Sequence, residues 1–335
     1  MAVLTIRMTA SSCKVLVTGA TGFLGRILCS RLQETNAEVV AVGRSTQEGP
    51  WSSFRELDLA ADPVPENLLA GVGTIYHLAS KAHAVTESES AAGTYRPVIV
   101  TGTQKLLEAA SQAGVERFIY VSSVKAMGEG NPKGLPLVPM DESWPNIPQG
   151  PYGLAKSEAE ACVRKSNIQH SVILRPVMVY GPGEKGNLPR MVQAVRRRRF
   201  PPLPNCGNRR SMIHVDDLVE FMIRATGCPT AAGKTYILAG TDALSTRELY
   251  DAIRRSLGMK EIDWSIPMPL LGFAAGLGSL AGALVGRRWP LDRETLGKLT
   301  GSAWYSSALA IKDLDYEPVH TVRGWLESTG LQIGC

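Results

Sequence analysis

The run Val15-Leu16-Val17-Thr18-Gly19-Ala20-Thr21-Gly22-Phe23-Leu24-Gly25 constrains this chain more than any other stretch: a β-branched strand signal passes through three glycines into the amphipathic segment Ile27 to Glu34. A glycine triplet alone says little, because glycine turns occur everywhere. Its place between a first strand and a first helix gives it a mechanical meaning. Gly19 permits a tight turn, Gly22 lets backbone approach a pyrophosphate, and Gly25 lets helix and strand pack closely. The helix-terminal N–H groups then face the negative charge. The spacing is G-x-x-G-x-x-G, and Thr21, Phe23 and Leu24 inside it are expected to touch a dinucleotide together with the glycines.

Further short strand signals follow at Val39 to Val42, Thr74-Ile75-Tyr76, Phe118 to Val121 and Val172 to Leu174, with helical stretches between them such as Gln104 to Ala113, which closes at Gly114. This alternation predicts an α/β fold, a Rossmann-type doubly wound parallel sheet covered by helices on both faces. After Tyr180-Gly181-Pro182-Gly183 the composition shifts to Pro, Gly and Arg, which predicts a smaller C-terminal substrate-binding part. The expected division is 12–180 for the dinucleotide domain and 181–330 for the substrate part, with about 210–240 returning to the first. With 335 residues, 44% of them hydrophobic, the chain can bury a large core. Residues 1–12 read as a loose tail.

A net charge of +5 is too mild to imply nucleic-acid binding without a patch, and Arg196 to Arg199 read as a solvated helix terminus. The six cysteines show neither disulfide nor zinc spacing, so no metal is expected and a reducing cytoplasm fits. No secretory signal is evident. Trp264 to Gly286 contains no charged residue and carries Gly272, Gly276, Gly282 and Gly286. Pro267 and Pro269 break its start, and its glycine and alanine content dilutes its hydrophobicity, so a packed helix or a lid is expected, not stable membrane insertion. Peripheral membrane contact is the next reading.

The cofactor can be sharpened at the end of the second strand, where NAD enzymes place a carboxylate on the ribose hydroxyls. Here the chain reads Val42-Gly43-Arg44-Ser45. A guanidinium cannot accept from a hydroxyl but pairs with a 2′-phosphate, so Arg44 favours NADP(H), with NAD(H) the alternative. Asp58-Leu59, after a short third strand, stands where a carboxylate could meet the adenine amino group.

Tyr152 and Lys156 lie four apart, on one face of a helix. A tyrosine near its free pKa of ~10 is a poor acid or base at neutral pH, and a neighbouring ammonium favours its phenolate. Lys156 supplies that charge and can hold the cofactor ribose. A hydroxyl donor should close a preceding strand, and Phe118-Ile119-Tyr120-Val121-Ser122-Ser123 offers Ser123, with Ser122 as a structural hydroxyl.

These residues, in this order, resemble the extended short-chain dehydrogenase/reductase family, and within it the UDP-glucose 4-epimerase branch. The similarity covers the glycine loop, Asp58-Leu59, His77-Leu78-Ala79, Val121-Ser122-Ser123, Tyr152 to Lys156, Arg175-Pro176 and Tyr180 to Gly183. Ser122 to Glu129 and Asn208 to Leu218 look like bacterial 4-reductases of UDP-4-keto-6-deoxy-hexosamines. The resemblance implies Ser123, Tyr152 and Lys156 as the catalytic set, Leu78 and Ala79 at the cofactor, Asn187 and Leu188 over the sugar nucleotide, and Arg210 on its diphosphate. Two positions depart from the family: Val98-Ile99-Val100-Thr101 lacks its usual asparagine, and Met127 replaces the tyrosine usual in epimerases. The expected activity is NADP(H)-dependent reduction of a C4 ketone on a UDP-sugar by a homodimer. The rivals are a 4-epimerase with tightly bound NAD, a reductase of an apolar sterol- or polyketide-like carbonyl, and a non-catalytic dinucleotide sensor.

Overall fold

The computed structural model of the protein describes residues 14–80, 92–131, 137–184, 186–285 and 291–329. Its strands are β1 Lys14–Thr18, β2 Glu38–Gly43, β3 Ser53–Glu56, β4 Val72–His77, β5 Arg117–Val121, β6 His170–Pro176, β7 Met178–Tyr180, β8 Arg210–His214, β9 Thr235–Leu238 and β10 Ala243–Leu244. Its helices are α1 Phe23–Glu34, α2 Ala92–Arg96, α3 Gly102–Gln112, α4 Gly150–Arg164, α5 Asn187–Arg196, α6 Val215–Gly227, α7 Thr246–Ser256, α8 Met268–Val285, α9 Arg293–Thr300, α10 Ala308–Leu314 and α11 Val322–Thr329.

Seven strands form one parallel sheet in the order β3-β2-β1-β4-β5-β6-β9. Strand order reverses between β1 and β4, which makes the carboxyl ends of those two strands the crevice where such sheets bind ligands. Both faces are covered, so the strands read as near-continuous apolar runs. Val15 and Val17 of β1 face the core that holds Ile119, Leu174 and Phe221, whereas Leu16 faces Ile75, Phe118 and Leu106. Each large side chain so buried contributes about 1.5–3 kcal/mol, which is why a one-residue slip of β1 is not tolerated.

After β6 the chain adds a small sheet and further helices, while α6 packs on the core of the large sheet and β9 closes that sheet beside β6. The small sheet has the order β10-β8-β7. Two smaller cores serve the C-terminal part, one around Tyr180, Val192, Ile253 and Leu326, the other around Leu203, Leu271, Ala275 and Leu296. The uncharged stretch forms α8, which turns Leu271 and Ala275 inward. Among the described residues, no helix is long and apolar enough to cross a membrane. The expected N-terminal tail lies outside the described residues.

The candidate active site

Gly19 has φ of 69°, and a Cβ there would stand 2.9 Å from the Ala79 nitrogen and the Leu78 carbonyl carbon. A Cβ on Gly25 would meet the Gly19 carbonyl oxygen and lie 2.7 Å from the Ala20 Cα. Only glycine permits both approaches, so the loop after β1 is a cradle of bare backbone at the switch point. Those residues fit a dinucleotide pyrophosphate. Thr21 borders the end of β2, because a Cβ on Gly43 would sit 3.2 Å from its methyl group. Arg44, one residue further, is exposed.

Asp58 is half-buried, and its Oδ1 accepts the Ala60 N–H at 2.9 Å. Leu59, expected at the cofactor, does not present its side chain there. Its side chain is only 4% exposed and packs under the first turn of α3 in the core, leaving only backbone to offer. Leu24, in the first turn of α1, is partly buried against the core.

Behind the cradle runs a hydrogen-bonded chain that sequence reasoning did not assign. The Ala79 N–H donates to Thr18 Oγ1 at 3.1 Å, and Thr18 Oγ1 lies 2.7 Å from His77 Nδ1. On the other side, His77 Nε2 lies 2.9 Å from Thr103 Oγ1, which donates to the Ile99 carbonyl. Since Thr103 spends its proton on Ile99, it accepts from Nε2–H, and Nδ1 accepts from Thr18. Burial and the nearby Lys156 lower His77 to about 3, which keeps the ring neutral. Ile99 lies in a π-helical turn over Pro97–Thr101, the stretch that departs from the family pattern.

The expected catalytic residues lie on α4 and in the turn just after β5. Ser123 is half-buried at the start of a short 3-10 turn, its Oγ accepting the Lys125 N–H at 3.3 Å. Tyr152 is 6% exposed and meets the Tyr95 ring edge-on at 5.6 Å. Lys156 is 2% exposed; its Nζ donates to the Val121 carbonyl at 2.8 Å and sits 6.0 Å from the Tyr152 ring centroid. Burial lowers Lys156 to about 7, and Glu160 pulls it back toward the charged form.

Glu160 is the residue missed. It is fully buried, and its carboxylate accepts from Arg175 Nε at 2.8 Å, Arg175 Nη2 at 2.6 Å, Ser122 Oγ at 2.6 Å and Arg164 Nη2 at 2.7 Å. Burial pushes its pKa up, but these partners outweigh that and hold it below the usual carboxylate value. The spacing Tyr152, Lys156, Glu160 at steps of four was visible on one helical stripe. A carboxylate in line with a buried lysine was the available signal.

Gly153 explains how α4 reaches β5. A Cβ there would lie 2.6 Å from the Lys125 carbonyl oxygen, so α4 and the Ser123 turn touch backbone to backbone. Met127 is 3% exposed in the core, so it offers nothing to a ligand.

In the C-terminal part, Arg210 opens β8, and its Nη1 donates to the Lys298 carbonyl at 2.6 Å and the Gly301 carbonyl at 3.3 Å. Two carbonyls thus hold the guanidinium from one side. Asn187 is exposed at the start of α5. Leu188, expected in the segment over the sugar nucleotide, turns its side chain into the C-terminal core at 1% exposure, and its N–H is taken by the Glu184 carboxylate. Among the described residues the one grouping with metal-ligand types is His214, Asp216 and His320. Its contacts serve the chain itself: His214 Nδ1 accepts the Asp216 N–H at 3.3 Å, and His320 Nδ1 lies 2.9 Å from Asp217.

A glycine cradle at a sheet's switch point, with a tyrosine–lysine helix beside it, defines a nicotinamide-dinucleotide enzyme. Residues 15–239 match the NAD dependent epimerase/dehydratase family. The chain is 30% identical over 322 residues to UDP-glucose 4-epimerase of Vibrio cholerae, covering 94% of each protein. It is 29% identical over 328 residues to 2-alkyl-3-oxoalkanoate reductase of Stenotrophomonas maltophilia (strain K279a), covering 91% of this chain and 94% of that one. The structure of MoeE5 in complex with UDP-glucose and NAD superposes with a TM-score of 0.69 at 25% identity, over 96% of this chain and 98% of the other. The protein belongs to the NAD dependent epimerase/dehydratase family, in the extended short-chain dehydrogenase/reductase branch that includes UDP-glucose 4-epimerase.

Proposed function

We propose that this enzyme reduces the C4 ketone of a UDP-linked sugar with NADP(H), acting in the cytoplasm as a homodimer. The observation that carries the reading is Arg44: an exposed guanidinium directly after Gly43, the last residue of β2 and the one that borders Thr21 of the cradle, suits a 2′-phosphate and gives the NAD ribose no acceptor. An enzyme built to exchange NADP(H) is suited to net reduction.

When bound, the nicotinamide supplies the hydride. In this reading Ser123 donates a hydrogen bond to the ketone oxygen, and Tyr152 protonates that oxygen as charge develops on it. Lys156, anchored on the Val121 carbonyl, favours the tyrosine's ionised form and holds the ribose. The Arg210 fork grips the diphosphate with the N–H groups not spent on residues 298 and 301.

The second reading is a 4-epimerase, favoured by the name of the Vibrio cholerae relative. It uses the same groups but keeps its NAD and returns the hydride to the other face of the sugar. Acid denaturation of freshly purified protein, followed by identification of what is released, separates the two. Weakly held NADP, or an empty site that binds NADPH, supports the reductase; stoichiometric NAD that survives dialysis would overturn it.

A further inference from the structure

Five of the large hydrophobic side chains that stand exposed fall within one short segment: Trp264 at 61%, Leu270 at 61%, Phe273 at 69%, Leu277 at 53% and Leu280 at 60%. The last four follow steps of three, four and three along α8, so they form a single stripe opposite the buried Leu271 and Ala275. A continuous apolar stripe of this size on a surface marks an interaction face. Residues 264–286 include no charged side chain, so nothing on the stripe opposes burial in an apolar phase.

The rim of the face is basic. Arg197, Arg198 and Arg199 are exposed at the end of α5, and the next residue, Phe200, packs on the core of Leu271 and Ala275. The Ile266 N–H donates to the Pro202 carbonyl at 3.0 Å, which pins that arginine segment beside the start of α8. On the other side Arg293 is exposed, with its guanidinium 3.6 Å from where a Gly276 Cβ would stand. The acids nearby are Asp263, exposed just before Trp264, Asp292, whose carboxylate caps α9 by accepting the Thr295 N–H at 2.7 Å, and Glu294, paired with Lys298 at 2.7 Å, so the arginines of the rim outnumber these acids.

We infer that α8 docks in the plane of an anionic lipid surface, with its Leu/Phe stripe among the acyl chains and the arginines of residues 197–199 and 293 on the headgroup phosphates. Bare apolar side chains framed by arginines fit that partner: the stripe supplies apolar area and the rim supplies attraction to negative lipid. The face also connects to the site, because the Arg293 N–H donates to Ser279 of α8 at 3.1 Å and the Lys298 carbonyl accepts from Arg210 at 2.6 Å. Docking therefore restrains the helix that holds Arg210. This inference stands whether or not the keto-sugar reading does.

Flotation of the full-length protein with vesicles of phosphatidylcholine alone, or mixed with phosphatidylglycerol, tests it. The protein is expected to float with the mixed vesicles, less so at high salt. Phe273→Glu with Leu277→Glu should abolish flotation, and Arg197→Gln, Arg198→Gln and Arg199→Gln together should weaken it by about fivefold per arginine, with circular dichroism and NADPH binding unchanged. Absence of binding to the mixed vesicles would overturn the inference, as would equal binding to neutral vesicles. A glutamate pair that splits an oligomer without any vesicle binding would assign the face to a second copy of the chain and overturn it too.

Discussion

Arg175 grips Glu160 through two parallel hydrogen bonds of 2.8 and 2.6 Å, one helical turn past Lys156 and next to Ser122, the residue after β5. The pair bolts α4, which carries Tyr152 and Lys156, to β6, and Ser122 ties Glu160 to the segment after β5 that holds Ser123. Removing one partner strands a buried charge, at a cost of about 3–5 kcal/mol. Glu160→Ala should lose that much in denaturant unfolding, while Glu160→Leu with Arg175→Met should recover much of it. Glu160→Gln should also shift the lysine-dependent limb of the pH–rate profile to lower pH, because Glu160 is the charge that raises Lys156. A single-variant cost within experimental error would refute the bolt.

Gly153 sets the distance between α4 and the Ser123 turn. Gly153→Val forces apart backbone that now leaves only 2.6 Å for a Cβ. Steady-state kinetics should show kcat lower by on the order of a hundredfold, the effect of misplacing catalytic groups by about 1 Å, with KM little changed. Unchanged kcat would remove Gly153 from the account.

Lys156 makes the cofactor-free protein sensitive to alkaline pH in an unusual direction. Its folded pKa is lowered to about 7, whereas the unfolded chain titrates near ~10.4. Below the first value both states carry the proton; between the two only the unfolded state does. Stability therefore gains up to about 1.4 kcal/mol per pH unit from this group as pH rises through that window. Denaturant titrations of wild type and Lys156→Met across pH 7 to 9 should differ by that slope. Parallel curves would contradict it.

Arg44→Ser removes the proposed partner of the 2′-phosphate. A charge-assisted bond of about 1.5–3 kcal/mol corresponds to a KM for NADPH higher by roughly 10- to 100-fold, with NADH turnover unaffected. Equal effects on both cofactors would point to a loop defect instead.

Much of this was legible in the chain because its signals are local. Val15 to Gly25 fixes a strand, a turn and a helix start within one short stretch, and the β-branched runs of β2, β4, β5 and β6 stand where periodicity puts them. Gly114 ends α3 with φ of 69°, as its position implied. What stayed hidden depends on partners distant in sequence. Glu160 reads as one more helix carboxylate until Arg175 is brought to it, and the tautomer of His77 is set by Thr18 and Thr103 from two other elements. Leu59 and Leu188 turn their side chains into the core for the same reason: a motif fixes where the backbone runs, while packing decides which way a leucine turns.

The central claim is net hydride transfer to a sugar ketone, and isotope transfer tests it most directly. The enzyme would be incubated with a UDP-4-keto-6-deoxy-hexosamine and NADPH carrying deuterium at the nicotinamide C4, and the product examined by NMR. The account predicts one deuterium at sugar C4 for each NADPH consumed, and none with Tyr152→Phe. Conversion of a UDP-hexose to its C4 epimer without added cofactor, and without label in the product, would contradict it.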